Sequence, residues 1–336
     1  MDIVTLGELL IDMIPSEANR PNGQVGAYSP QPGGAPANVA VAAARLGASS
    51  AFIGKVGKDP FGYFLVDVLN KEGVETRGIR FDDEARTTMA LIALPDGQNA
   101  EFVFYRNPGA DQRLRVDELD AGLIRDCKIF HFGSLSLTDE PARSATLAAI
   151  DLARDAGALI SYDVNYRPSL WKHPGEALEI AKAMLSRVHL LKVNEREAAL
   201  LAGIEEFEDK GLQWIEDATR FLLDQGPSLV LVTLGGHGSY YRTGFSSGHS
   251  PPFQVSAVDT VGCGDAFIAG ILVRILDGGS WSAIQSPERL QEALRFANAA
   301  GALTSLSRGA IPALPTATQV EEFMEDYRPP RVGSVR

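Results

Sequence analysis

The stretch Leu159-Ile160-Ser161-Tyr162-Asp163, followed by helical spacing over Glu176–Ser186 and then His189-Leu190-Leu191-Lys192-Val193, decides how this chain folds. Strand–helix–strand alternation of this kind argues for a parallel sheet covered by helices on both faces. The pattern extends outward. Strand-like runs occur at Ile3–Leu6, Ala51–Val56, Lys128–Phe132 and Leu229–Leu234. Helical spacing recurs at Asn38–Leu46, Phe61–Glu72, Glu140–Ala156, Glu195–Ala202 and Asp217–Asp224. Two further helices, Asp265–Leu276 and Glu288–Ser305, follow a hairpin-like region near Ser239–Val255. The expected architecture is a three-layer α/β/α domain with a mostly parallel sheet over residues 1–327. Residues 328–336, rich in Pro and Arg, read as a loose tail.

Two segments interrupt the alternation, at about 8–32 and 86–108. The first holds Leu9–Ile14 and a Gly/Pro/Ser-rich stretch. The second holds Thr87–Leu94 and Glu101–Arg106, joined by Pro95-Asp96-Gly97, a hairpin signal. They read as a small antiparallel β lid over one end of the main sheet. Alternation puts Phe102, Phe104 and Arg106 on one face, and an arginine ending an apolar face needs a partner in the protein or in a ligand.

Composition narrows the function classes. The chain has 336 residues, 45% apolar and 22% charged, enough to bury a large core. A net charge of −12 repels nucleic acid at long range, so any phosphate site must come from local backbone and a few placed cations. Two distant cysteines, Cys127 and Cys263, make neither a disulfide framework nor a metal cluster and fit a reducing compartment. The first residues lack a signal-peptide pattern, and no run approaches ~18 apolar residues, so a cytoplasmic chain without a membrane span is expected.

The strongest chemical signal is Asp259-Thr260-Val261-Gly262-Cys263-Gly264-Asp265-Ala266-Phe267. A Gly-x-Gly loop opens into an apolar helix, so the N–H groups of Gly262, Cys263 and Gly264 can face an anion. Asp265 could take a proton from an attacking hydroxyl. A Gly-Asp pair before a helix is also an ordinary N-cap. Neither a Walker A motif nor G-x-G-x-x-G is present. In Gly33-Gly34-Ala35-Pro36-Ala37-Asn38, paired glycines allow close backbone approach, and Asn38 offers donor and acceptor to sugar hydroxyls, or the motif is simply a turn and helix start. Asn194-Glu195-Arg196-Glu197, Asp163-Val164-Asn165-Tyr166-Arg167 and Gly235-Gly236-His237-Gly238 each follow a strand, where open α/β sheets bind ligands. Glu195 and Glu197 also suit a helix first turn without any further role. A thiol at Cys263, on a helix N-terminus, is expected to have a lowered pKa, with burial as the opposing influence.

The two glycine motifs, with Gly54 and Gly57 between them, resemble the two signatures of ribokinase-like carbohydrate kinases, the phosphofructokinase-B group. The likeness runs from Gly7-Glu8-Leu9-Leu10-Ile11-Asp12 to Gly309-Ala310-Ile311-Pro312. Within the group, Ala51–Gly57, Phe104–Pro108 and Arg295–Ala299 are most similar to plant-type fructokinases. The resemblance implies a kinase that phosphorylates a small sugar with MgATP. Asp265 would be the base, with the amides of Gly262, Cys263 and Gly264 stabilising the transferring phosphoryl group. Asp12, Gly33, Gly34, Asn38, Phe104, Arg106, Asn165 and Arg167 would hold the sugar. Lys192, Asn194, Thr233, Gly235, Gly238 and Asn298 would bind nucleotide. Glu197 would organise Mg²⁺ through water, and Asp259, Val261, Ser307 and Gly309 would form a monovalent-cation site suited to K⁺. It also implies a homodimer formed through the lid. A 2-keto-3-deoxygluconate kinase, a riboside kinase and a non-catalytic sugar sensor stand as alternatives.

Overall fold

The computed structural model describes residues 1–16, 20, 22–93, 101–205, 211, 213–279, 281 and 286–328. Its strands are β1 (Ile3–Leu6), β2 (Leu10–Pro15), β3 (Tyr28–Gly33), β4 (Ser50–Gly57), β5 (Glu75–Asp82), β6 (Met89–Ala93), β7 (Glu101–Tyr105), β8 (Ile129–Gly133), β9 (Leu159–Asp163), β10 (Leu190–Asn194), β11 (Leu229–Thr233), β12 (Ser239–Thr243) and β13 (Ser247–Ser250). The helices are α1 (Ala35–Arg45), α2 (Pro60–Lys71), α3 (Ala121–Arg125), α4 (Ala142–Asp155), α5 (Pro174–Leu185), α6 (Glu195–Ala202), α7 (Gln213–Asp224), α8 (Cys263–Asp277), α9 (Pro287–Thr304) and α10 (Ala317–Asp326).

Nine strands form one sheet in the order β13-β12-β11-β10-β9-β8-β1-β4-β5. Its pairs are parallel except β11–β12 and β12–β13. Successive residues of each strand enter different cores, as strand alternation requires. Ile3, Ile129, Leu190 and Leu229 pack with α1, α2, α8, α9 and α10. Val4, Phe130, Leu191 and Val230 pack with α3 to α7 on the other face. Both faces are therefore covered, giving three layers. This explains why these strands read as nearly continuous apolar runs.

From β1 the chain moves outward to β4 and β5, then returns to β8 and continues in the opposite direction. The order reverses beside β1. Open α/β sheets bind ligands at the carboxyl ends of strands next to such a reversal.

The second sheet has the order β3-β2-β6-β7. It is mixed rather than wholly antiparallel as expected, because β2 and β6 pair in parallel. The chain passes through α1, β4, α2 and β5 between them, so no hairpin imposes an antiparallel pairing. Pro30 and Pro32 lie in β3, an edge strand, where a missing N–H is tolerated. Sequence reading missed β5, α3 and α10. The Pro95-Asp96-Gly97 turn and tail residues 329–336 lie outside the described residues.

Candidate active site

A cavity of about 670 Å³ opens where the carboxyl ends of the main strands meet the small sheet. At its centre stands Asp265, at the third position of α8 and buried. Gly262 starts that helix in a left-handed conformation (φ 82°), and no side chain caps it. A β-carbon at Gly262 would press on Ala310 Cα at 3.0 Å, so both conformation and space select glycine. Cys263 N–H donates to Thr260 O at 3.3 Å, so this amide, expected to face an anion, is engaged within the loop. Gly264 follows in the uncapped first turn, where N–H groups lack intrahelical acceptors. The Lys192 ammonium lies beneath: a β-carbon on Gly264 would meet Nζ at 3.0 Å.

Burial raises the Asp265 pKa to about 6, against the lowering effect of the Asn38 amide that donates to its Oδ2 at 2.7 Å. Asn38 is brought there by α1, which begins at Gly33-Gly34. A side chain at Gly33 would overlap the Asp12 carboxylate, and one at Gly34 (φ 108°) would overlap the Glu8 carbonyl. These glycines therefore allow α1 to lie against β2. Asp12 is also buried. Desolvation and the neighbouring Asp265 push its pKa up to about 7.

Lys192 and Asp163 face each other on β10 and β9 and form a buried ion pair at 2.9 Å. Burial opposes the Lys192 charge, but Asp163 and Glu197 outweigh it and raise the pKa. Asn165, two residues beyond Asp163, has φ 41° and lines the cavity with Arg167. Asn194, Thr233, Gly235 and Gly238 line the opposite end, and Asn298 fixes the wall there by donating to Ser250 and Pro251. Gly238 (φ 87°) turns β11 into β12, with no room for a side chain against Ser250 O.

The structure thus gathers Asp12, Gly34, Asn38, Phe104, Asn165, Arg167, Lys192, Asn194, Thr233, Gly235, Gly238, Val261, Gly262, Cys263, Gly264, Asp265 and Asn298 around one cavity. Gly33, packed against the Asp12 carboxylate, does not itself line the cavity, and four further expectations need correction or a different placement. Arg106 does not line the cavity: its guanidinium pairs with Asp111 at 2.6 Å and donates to Thr138 Oγ1 and Leu135 O, all buried. Glu197 lies behind the wall, its two oxygens accepting the N–H groups of Asn194 (2.8 Å) and Tyr166 (2.7 Å), while Asn194 Oδ1 accepts Glu197 N–H. It completes a capping box on α6, and Glu195 is the carboxylate of that turn lining the cavity. The Cys263 thiol is pushed up to about 12, not down, because burial is joined by the carboxylates of Asp259 and Asp265. Asp259, Ser307 and Gly309 flank the cavity without lining it. Asp259 ties the segments together by accepting from Val261 N–H at 3.1 Å and Gly309 N–H at 2.9 Å.

Sequence reading missed Glu8, Leu135 and the loop Pro252–Val255, which also line the cavity. The loop carries no periodicity or motif. Glu8 was legible only as a flank of the lid.

Comparisons with known proteins fit this geometry. The pfkB family carbohydrate kinase profile matches residues 1–317. Fructokinase-1 of Oryza sativa subsp. japonica is 43% identical over 323 residues, 96% of this chain and 97% of that protein. The crystal structure of a fructokinase with bound ATP from Xylella fastidiosa superposes with a TM-score of 0.85 at 34% identity, covering 96% of this chain and 98% of that one. A double mutant of the Vibrio cholerae O395 fructokinase, with fructose, ADP and potassium ion bound, gives 0.84 at 32% identity over 96% and 98%.

Proposed function

The chain belongs to the pfkB family of carbohydrate kinases, and from that premise we propose that it is an ATP-dependent fructokinase, transferring the γ-phosphoryl group to the 6-hydroxyl of D-fructose. The observation that carries this reading is the buried Asp265 carboxyl, held by Asn38 at the uncapped start of α8 inside the cavity. Asp12, Asn38, Asn165 and Arg167 bind the sugar on one side. Thr233, Gly235, Gly238 and Asn298 bind ATP on the other. Asp265 accepts the 6-hydroxyl proton as O6 attacks the γ-phosphorus, and the bond from that phosphorus to the β-bridging oxygen breaks to release ADP. The amides at the start of α8 and the Lys192 ammonium stabilise charge on the transferring group.

Asn194 and Glu195, which line the nucleotide end of the cavity, would offer oxygen donors to Mg²⁺ accompanying ATP, and the ion would supply neutralisation of phosphate charge. The oxygen-bearing Asp259–Val261 turn, held to Gly309 through the Asp259 carboxylate, is where K⁺ would be held. Engagement of Arg106 with Asp111 takes one of the two arginines expected to read a sugar acid away from the cavity, which supports a neutral sugar over a carboxylate.

Initial-rate measurement of ADP formation on D-fructose, D-glucose, 2-keto-3-deoxygluconate and a riboside tests the substrate. Fructose should give the highest kcat/KM. A higher value for the sugar acid or the riboside replaces the reading with that kinase. ADP formation unaffected by any sugar removes it.

A further inference from the structure

Glu8 occupies the turn after β1, beside the point where the strand order reverses, and lines the cavity although only 3% of it is exposed. Its Oε1 accepts the N–H of Ala35, the first residue of α1, at 3.0 Å. Its Oε2 is buried and meets no hydrogen-bond donor among the described residues. The nearby charges are Arg106 and Asp111, and they satisfy one another as an ion pair at 2.6 Å, so Glu8 has no cation of its own. Asn38, also 3% exposed and on the same cavity, repeats the pattern: its amide N–H donates to Asp265 while its Oδ1 meets no donor among the described residues. Two buried acceptors without donors on one cavity call for a ligand bearing O–H groups, because leaving such atoms unpaired is costly.

We propose that Glu8 is a substrate-positioning residue whose second carboxylate oxygen, together with Asn38 Oδ1, accepts hydroxyl hydrogens of the sugar and so helps decide which sugars are held. The inference rests on the reading of this cavity as the sugar end of a carbohydrate kinase. Burial also raises the Glu8 pKa to about 7, outweighing the backbone hydrogen bonds and Arg106 that lower it, consistent with a carboxyl only partly compensated in the free protein.

The test is Glu8→Gln, because glutamine keeps an oxygen for Ala35 N–H and replaces the second oxygen by an NH₂ donor. Wild type is first assayed on the four acceptors above, so a failure of the fructose assignment appears there. The variant is then compared on whichever acceptor wild type uses best. E8Q should raise the KM for that sugar about tenfold or more, with ATP KM unchanged and Tm no lower than that of wild type. Across mono-deoxy analogues of that sugar, variant and wild type should converge on the one lacking the hydroxyl that Glu8 holds. Wild-type sugar KM in E8Q, an equal rise in ATP KM, or the same variant-to-wild-type ratio on every analogue would overturn the proposal. Should E8Q fail to fold, Glu8→Asp, which draws the charged acceptor back by one methylene, is held to the same sugar-specific rise.

Discussion

Asp265 has the surroundings of a base suited to work near neutrality: buried enough to favour the proton, yet held by Asn38 so that it can still ionise. Asp265→Asn should lower kcat by about 10²–10⁴-fold, the range for a lost general base, with modest change in either KM. Because the base must be ionised, wild-type kcat/KM should fall about tenfold per pH unit below about 6. Near-normal turnover in the variant ends the assignment. Cys263 shows how a local rule can be overridden. A helix N-terminus favours a thiolate, but burial and two carboxylates prevail here and lift the pKa to about 12. Alkylation at pH 7.5 should therefore be slow at both Cys263 and Cys127, whose thiol burial also lifts to about 12. Cys263→Ala, which keeps the amide, should stay active. Rapid, selective loss of activity through Cys263 would show that the carboxylates do not govern its titration.

At the scale of elements, two glycine turns place two halves of the site, and their substitutions should separate sugar from nucleotide. A methyl group at Gly33 has to displace the Asp12 carboxylate, so Gly33→Ala should raise the fructose KM tenfold or more while ATP KM stays within about twofold. One at Gly238 meets Ser250 O across the β11–β12 turn, so Gly238→Ala should do the reverse. Equal effects on both substrates would mean the turns act only through stability. These elements were largely legible in the sequence because each strand buries both faces and each helix one, so their patterns differ in period. β5 was not. Its segment, Glu75-Thr76-Arg77-Gly78-Ile79-Arg80-Phe81-Asp82, is an edge strand rich in charge, and only its place beside β4 makes it a strand. Arg106 was ambiguous for a related reason: its partner Asp111 lies beyond the strand, and alternation says nothing about what a side chain meets after the strand ends. Glu197 shows the same limit, since a capping box and a site carboxylate have one spelling, Asn-x-x-Glu.

For the molecule as a whole, the site should carry a stability cost that depends on pH. Glu8 and Asp12 have pKa values raised to about 7 and Asp265 to about 6, whereas unfolded carboxyls titrate near ~4. Between those values the folded chain binds more protons than the unfolded chain. These groups therefore add stability as pH falls through about 7, and that stability is absent above it. Other groups change little in the upper part of this range. Asp2 and Asp82, lowered to about 2 by hydrogen bonds and ion pairing that outweigh burial, lose their stabilising effect only below ~4. His131, lowered to about 4 by burial, and His189, also lowered by burial, oppose folding progressively as pH falls through ~6.5, so in this window their opposition is only partial. The Tm of the ligand-free protein should accordingly rise as pH is lowered from 8 to 6.5. Sugar binding should run the other way, because hydroxyls donate to ionised carboxylates, so the fructose KM should increase over the same interval. Asp12→Asn separates the two effects. It removes a buried charge without changing size, so at pH 8 it should stabilise the protein by at least ~1 kcal/mol, about 2 °C or more in Tm, and flatten the pH dependence. The same variant should use fructose poorly. A wild-type Tm that is flat or falls from pH 8 to 6.5, or an Asp12→Asn protein no more stable than wild type at pH 8, would show that these carboxyls are compensated in the free protein and do not wait for the sugar.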